Sequence, residues 1–315
     1  MTTPVFRISL LPLTSLVFLF AGAAASAQSG EQTGFRLRFH GGFSPSTEFT
    51  DNTPAELSVY RAGVDVEYDL DLGEDAGLTL GAGSEFGAYD FDAFGPAPNL
   101  AGSSFPHFGH GSLYGSYLRQ LDGGTGILAM ARIMTGMDYK ADFGDSLTFA
   151  LVGGATHEVD DDLTLGFAVG VQTRLEEDVF FYPVPLIDWR IDDRWRLHTD
   201  HIAENASGFA DLSGVRLSYL TSEAQECYLG VGWQLRQFRL DNDASDPMVG
   251  GAVLDSRFSV YAGTVWEVQQ NLSTYLNLGF NLRQEYDIHD VNGPNPADAV
   301  SDPAPFVSFG VVFSF

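Results

Sequence analysis

From Tyr60 the chain alternates without a break: Tyr60, Ala62, Val64, Val66, Tyr68 and Leu70 against Arg61, Gly63, Asp65, Glu67, Asp69 and Asp71. A helix would spread both series around its surface, whereas a strand sorts them onto two faces. The pattern recurs in Leu163, Leu165, Phe167, Val169 and Val171 against Thr164, Gly166, Ala168, Gly170 and Gln172. It returns in Leu272, Thr274, Leu276, Leu278, Phe280 and Leu282 against Ser273, Tyr275, Asn277, Gly279, Asn281 and Arg283. Several of these runs exceed ~10 residues. Soluble strands average ~5–6, and a strand tilted across a bilayer needs ~9–11.

Strands are predicted near 34–43, 57–72, 77–90, 110–121, 125–137, 146–157 and 162–175. The series continues near 179–190, 194–202, 213–222, 226–240, 252–268, 271–286 and 305–315. Tight turns at 73–76, 122–124, 158–161, 191–193, 223–225 and 269–270 alternate with a second set of connections, long at 44–56, 91–109, 241–251 and 287–304. Short periplasmic turns facing longer extracellular loops are the arrangement of an outer-membrane barrel. The expected fold is therefore all-β, an antiparallel transmembrane β-barrel of about fourteen strands. Weaker alternation over 110–121, 125–137 and 203–222 would reduce the number to about twelve, which is also even. Tyr68, Trp189, Trp195 and Trp266 fall near the short turns, where amphipathic rings would sit at headgroup level.

Composition narrows the function classes. Mean hydropathy is −0.01, because apolar and polar residues are finely mixed, and no run after residue 30 approaches the ~20 apolar residues of a spanning helix. With 16 Lys+Arg against 42 Asp+Glu the net charge is −26. Nucleic acid is thereby excluded as a partner, since phosphate binding needs a basic surface. The acids read as solvated loops that would also draw cations to a pore mouth. Cys227 is the sole cysteine, so neither an intrachain disulfide nor a zinc cluster is expected.

Residues 1–27 have the form of a secretory signal: Arg7, an apolar stretch from Ile8 to Ala25, and the small-residue site Ala25-Ser26-Ala27. No cysteine follows that site, which argues against a lipoprotein. The remaining 28–315 would form the barrel domain.

The chain ends in Phe306-Val307-Ser308-Phe309-Gly310-Val311-Val312-Phe313-Ser314-Phe315. This resembles the terminal strand by which bacterial outer-membrane proteins are recognised for insertion. Tyr182-Pro183-Val184-Pro185-Leu186-Ile187-Asp188-Trp189, followed by Asp193-Arg194-Trp195-Arg196-Leu197, resembles a pattern in uncharacterised bacterial outer-membrane barrel proteins. The resemblance implies location in the bacterial outer membrane. It also implies two partners, outer-membrane lipids and the barrel-assembly machinery that would engage the strand ending at Phe315.

If Tyr60, Val64 and Tyr68 face lipid, alternation sends Arg36, Arg38, Arg61, Asp65, Glu67, Asp69, Glu85, Gln172, Arg174, Asn277, Asn281 and Arg283 to the lumen. Such a lining suits a porin-like passive channel for small solutes or ions, with no cofactor. The acids in the outer loops (Asp142, Asp145, Glu176, Glu177, Asp178, Asp241, Asp243, Asp246, Asp287, Asp290, Asp298 and Asp302) predict a cation preference, opposed by the inward arginines. The same mixed charges could instead knit a non-conducting barrel.

A lipid hydrolase is the enzyme alternative. His110-Gly111-Ser112 puts a histidine and a serine on one face of a strand, with Glu85 or Asp138 to orient the histidine. The second candidate, His201-Ile202-Ala203-Glu204-Asn205-Ala206, has Ala203 where the nucleophile should stand. His198 and Asp200 share a strand face that His201 does not, so three metal ligands would not converge. Asp241, Asp243 and Asp246 fit a solvated loop better than a calcium site. The expected enzyme and metal assignments are both none.

Overall fold

Each long amphipathic run pairs with its neighbour in sequence, and the last run returns to the first. The computed structural model describes residues 34–49, 56–73, 75–92, 107–199, 213–241, 250–290 and 293–315. The strands are β1 (Gly34–Glu48), β2 (Glu56–Asp71), β3 (Ala76–Asp92), β4 (His107–Leu121), β5 (Thr125–Asp138), β6 (Leu147–Asp160), β7 (Leu163–Arg174) and β8 (Glu177–Arg190). They continue as β9 (Trp195–Thr199), β10 (Ser213–Ser222), β11 (Gln225–Arg239), β12 (Ala252–Gln269), β13 (Leu272–Asp290), β14 (Gly293–Ser301) and β15 (Ala304–Ser314). The expected signal segment, 1–27, lies outside the described residues, as do Asp200, His201, Asp243 and Asp246.

Closure is made by β1 against β15, in register from Arg36↔Ser314 to Phe43↔Val307. At the seam Phe315 N donates to the Phe35 carbonyl at 2.8 Å, Phe35 N donates back at 3.2 Å, and the two rings lie 5.8 Å apart. β14 and β15 lie end to end along β13, which pairs with β14 from Gln284 to Asp290 and with β15 from Leu272 to Asn281. Together they form one stave, so the barrel has 14 staves. In a closed ladder each stave finds partners on both sides, which lets backbone cross a bilayer.

The stretch 287–304 is not wholly a loop. β13 runs on to Asp290 and turns back as β14, in spite of Pro294 and Pro296. Proline lacks the N–H for a ladder bond, but a strand bonded mainly along one edge tolerates it.

Short turns collect at one end. Between β4 and β5, Gly123 and Gly124 hold φ of +77° and +73°, a left-handed pair that side-chain-bearing residues resist. Outside, large apolar side chains stand in the open around the wall, among them Phe39 (48% exposed), Leu113 (57%), Leu151, Phe167, Leu229 and Leu278. A belt of that extent would be untenable in water and is what a lipid-facing wall requires. Among the described residues no helix is long and apolar enough to cross a membrane. Trp189, Trp195 and Trp266 are exposed close to the short turns, and Trp195 lies 4.7 Å from the Tyr219 ring.

Inside, the wall is two-natured. β1–β4 carry charge inward, whereas Leu128, Met130, Val152, Ala168 and Leu186 on β5–β8 pack inward with Tyr114 as an apolar cluster. Apolar residues on both faces explain the weak alternation over 125–137, which is a stave of the barrel like the others.

Candidate functional site

Cross-strand register builds the polar wall. Arg36 stands opposite Glu67, and Arg38 opposite Asp65. Arg36 reaches Glu67 at 3.2 Å and Asp69 at 3.0 Å, while Tyr114 donates to Glu67 at 2.6 Å. His40 contacts Asp65 through Nδ1 at 3.0 Å and Glu85 through Nε2 at 3.5 Å. Its ring lies over Gly63, where an added Cβ would meet His40 Nε2 at 2.3 Å. A glycine at 63 is what allows His40 to span β2 and reach β3.

A second hub is Asp255 on β12, fully buried. It accepts from Tyr89 at 2.8 Å, Arg61 at 3.2 Å, Gln284 at 3.2 Å and Arg257 Nε at 2.9 Å. Burying a carboxylate is costly unless its lone pairs are met, and four donors from β2, β3, β12 and β13 meet them.

The upper part of β11 leaves the wall. Among the described residues β10 pairs with β11 as far as Trp233, and higher up Arg239 bridges Met137 of β5 in parallel. From Arg236 to Leu240 every residue is buried. On one face Arg236 holds Glu85 at 3.1 Å, and Phe238 stacks on Phe108 at 4.2 Å. On the other, Gln237 accepts from Leu175 N at 2.8 Å, and Arg239 donates to the Asp145 carbonyl at 2.9 and 2.7 Å and pairs with Glu176. The described part of this hairpin thus reaches across the long-loop end to β5 and to the β5–β6 and β7–β8 connections. Toward the short turns the inner wall opens, the Asp69 side chain being 38% exposed.

Beneath the hairpin is a pocket partly continuous with solvent, bounded by β1–β3, β10–β13 and β15. His40, Ser44, Arg61, Glu85, Arg216, Gln234, Arg257, Ser259, Asn277 and Asn281 line it. Asn277 accepts from Tyr228 and donates to Ser308 at 3.0 Å, and Asn281 accepts from Ser259 at 2.7 Å. Away from the rims arginines outnumber acids on the inner wall: Arg38, Arg61, Arg132, Arg216, Arg236 and Arg257 against Asp65, Glu67, Glu85 and Asp255.

Of the residues expected in the lumen, Arg36, Arg38, Arg61, Asp65, Glu67, Asp69, Glu85, Asn277 and Asn281 are on this inner wall. Gln172 and Arg174 are on the inner face of β7, Arg174 lying 4.4 Å over the Phe180 ring. Arg283 is not. Register slips between Phe258↔Arg283 and Ser259↔Asn281, so Leu282 is an extra residue in β13. A bulge reverses the alternation beyond it. Arg283 therefore points outward, 64% exposed, and pairs with Glu285 at 3.0 Å.

Alternation missed the cross-lumen partners Arg236, Phe238, Arg239, Asp255 and Arg257. A sequence signal for them exists. The face of β11 that carries Leu229 and Val231 outward carries Gln237 and Arg239 higher up, polar residues that a lipid-facing wall would not hold.

His110 and Ser112 share the inner face of β4, but Ser112 Oγ makes no hydrogen bond among the described residues. His198 approaches Ser218 at 3.2 Å, and no group of metal-ligating side chains is found among the described residues. Outer acids are locally tied, Asp142 by the Gly144 N–H at 2.8 Å and Asp241 by Lys140 at 3.1 Å. At the opposite end, Asp192 in the β8–β9 turn accepts from the Arg194 and Trp195 N–H groups, which hold its carboxyl below the usual range.

No protein-family model and no curated protein matches the sequence. Solved structures do align with the chain at low identity. An outer membrane channel from Pseudomonas putida F1 is 10% identical, with 90% of this chain and 95% of that one covered and a TM-score of 0.48. A deltaS2 mutant of the TodX monoaromatic hydrocarbon channel is 9% identical, with 91% of each chain covered and a TM-score of 0.47. The KdgM porin in complex with disordered oligogalacturonate is 8% identical, with 89% and 99% covered and a TM-score of 0.38.

Proposed function

We propose that this chain is an outer-membrane, porin-like passive channel for small solutes, closed at its outer end by the β11–β12 hairpin. The observation that carries the reading is the polar, arginine-rich chamber inside a lipid-facing barrel. Burying so many ionic groups is costly, and a water-filled path is the simplest reason to keep them. The reading includes cleavage of the segment 1–27, contact with outer-membrane lipids, and engagement of the assembly machinery through the strand ending at Phe315. It assigns no catalytic role to His110 or Ser112. The acidic loops act at the mouth, where they recruit cations; the loop-based cation preference is not extended to the lumen.

Conduction requires the hairpin to move. Its ionic ties to the wall include Arg236–Glu85, Arg239–Glu176, Arg61–Asp255 and Lys140–Asp241. The test is single-channel recording in planar bilayers with the native protein and with Arg239→Gln. The native barrel is expected to conduct intermittently, and Arg239→Gln to raise its open fraction. The cross-lumen core also favours a second reading, a barrel that never conducts. Silence from both proteins, each shown to be folded by a heat-dependent shift in SDS migration, would establish that reading instead.

A further inference from the structure

We infer that the outer wall beside the β8–β9 turn is a binding site for one phospholipid of the periplasmic leaflet, and that it fits a phosphoethanolamine headgroup. The inference rests on the membrane location of the barrel and not on conduction. Trp189 on β8, Trp195 at the start of β9 and Tyr219 on β10 share one face of three adjacent staves. Trp189 has the parity opposite to Leu186, which packs inward, so this face is the outer one. Register places Tyr219 opposite Trp195, Leu217 opposite Leu197, and Trp189 opposite Leu197 across the other edge. The Trp189 and Trp195 rings are exposed, and Trp195 lies 4.7 Å from Tyr219. Such rings hold the level between acyl chains and headgroups.

Arg194 makes this corner more than a belt. Its Nη1 donates to the Tyr219 hydroxyl at 3.0 Å, and among the described residues that is the one partner of its guanidinium. The tyrosine holds the side chain against the rings and leaves the rest of the N–H fork open, in the planar geometry that matches phosphate oxygens. The neighbouring Asp192 is occupied elsewhere, its Oδ1 accepting from the Arg194 and Trp195 backbone N–H groups, each at 2.8 Å. Asp193 is exposed at the tip of the turn and has no ion-pair partner among the described residues. A positioned free cation and a free anion therefore stand side by side above a pair of rings.

From the strands toward the turn the order is apolar wall at Leu197 and Leu217, rings at Trp195 and Tyr219, guanidinium at Arg194 and carboxylate at Asp193. A phosphoethanolamine lipid has the same order: acyl chains, glycerol, phosphate, ammonium. The two free charges decide the headgroup. A phosphate without an ammonium would meet Arg194 but be repelled by Asp193, whereas a zwitterion satisfies both. Phosphatidylglycerol therefore fits less well. An exposed ion pair alone contributes little in water, but ring contacts and two opposite charges act here on one molecule already held at the interface, so their effects combine.

The experiment is native mass spectrometry of the full folded barrel, released from detergent that contains equimolar phosphatidylethanolamine and phosphatidylglycerol with identical chains. The native protein is expected to retain one phosphatidylethanolamine in preference to phosphatidylglycerol. Arg194→Gln should weaken that retention roughly tenfold, the effect of losing one charged hydrogen bond, and Arg194→Lys should recover part of the loss. Asp193→Asn should abolish the preference while leaving the phosphate contact, so that phosphatidylglycerol is then retained as well. Arg283→Gln, also on the outer wall but on β13, is the control for removing an exposed arginine. Each variant is first checked for the heat-dependent shift. Equal retention of the two lipids by the native protein, or a loss as large in Arg283→Gln as in Arg194→Gln, would overturn the inference. Retention unmoved by Arg194→Gln would overturn it too, since the rings alone would then hold the lipid.

Discussion

Arg239 on β11 and Met137 on β5 are bridge partners although their strands stand on opposite sides of the barrel order. The lumen must be crossed for them to meet. Crossing happens above Trp233, the last residue of β11 that pairs with β10 among the described residues. There β11 meets β5, and Arg239 is anchored through the Asp145 and Gly250 carbonyls and Glu176.

A disulfide between these two positions should lock the barrel shut. Paired strands lie about 4.8 Å apart, inside the ~4.4–6.8 Å that a disulfide spans between Cα atoms. Met137→Cys with Arg239→Cys, in a Cys227→Ser background, should form a bond that abolishes conductance and is reversed by reductant. Persistent conductance with the bond formed would show that the hairpin is not the gate.

The bulge at Leu282 sets a different expectation for Arg283 than for Arg61. Arg283 is on the outer surface in a largely exposed pair, which contributes about 0–1 kcal/mol. Arg283→Ala should leave ion selectivity unchanged and shift stability little. Arg61→Ala strips a donor from buried Asp255 and should cost about 3–5 kcal/mol. Chemical denaturation of the two variants in detergent checks the contrast, and a selectivity change in Arg283→Ala would place that side chain inside after all.

The β8–β9 turn carries a pH dependence with a definite sign. The Asp192 carboxyl is held below its ordinary value of 3.8 by two backbone N–H groups. A depressed carboxyl stabilises the fold fully above 3.8 and loses that contribution as pH falls through its lower folded value. The heat-shift temperature of the native protein should therefore exceed that of Asp192→Ala at neutral pH. The gap should close in acid below that range. A gap that is constant with pH would mean that the turn is held by something other than the charged carboxylate.

Alternation along the chain was sufficient to determine that these residues form amphipathic strands long enough for a bilayer, because side-chain period and strand length are local properties. It also determined which face most side chains occupy, Arg38, Asp65 and Glu85 among them. It could not locate the bulge at Leu282, since one extra residue leaves no mark in composition yet reverses the frame for Arg283. Nor could it read β14, whose prolines argue for a loop until the edge pairing with β13 is seen. The crossing of the lumen by β11 was decided by tertiary structure alone. Whether Arg236 reaches Glu85, and Asp255 collects donors from four strands, depends on walls that are far apart in sequence. Those are non-local contacts, and their energy lies in desolvated charge pairs whose worth is set only once both partners are buried together.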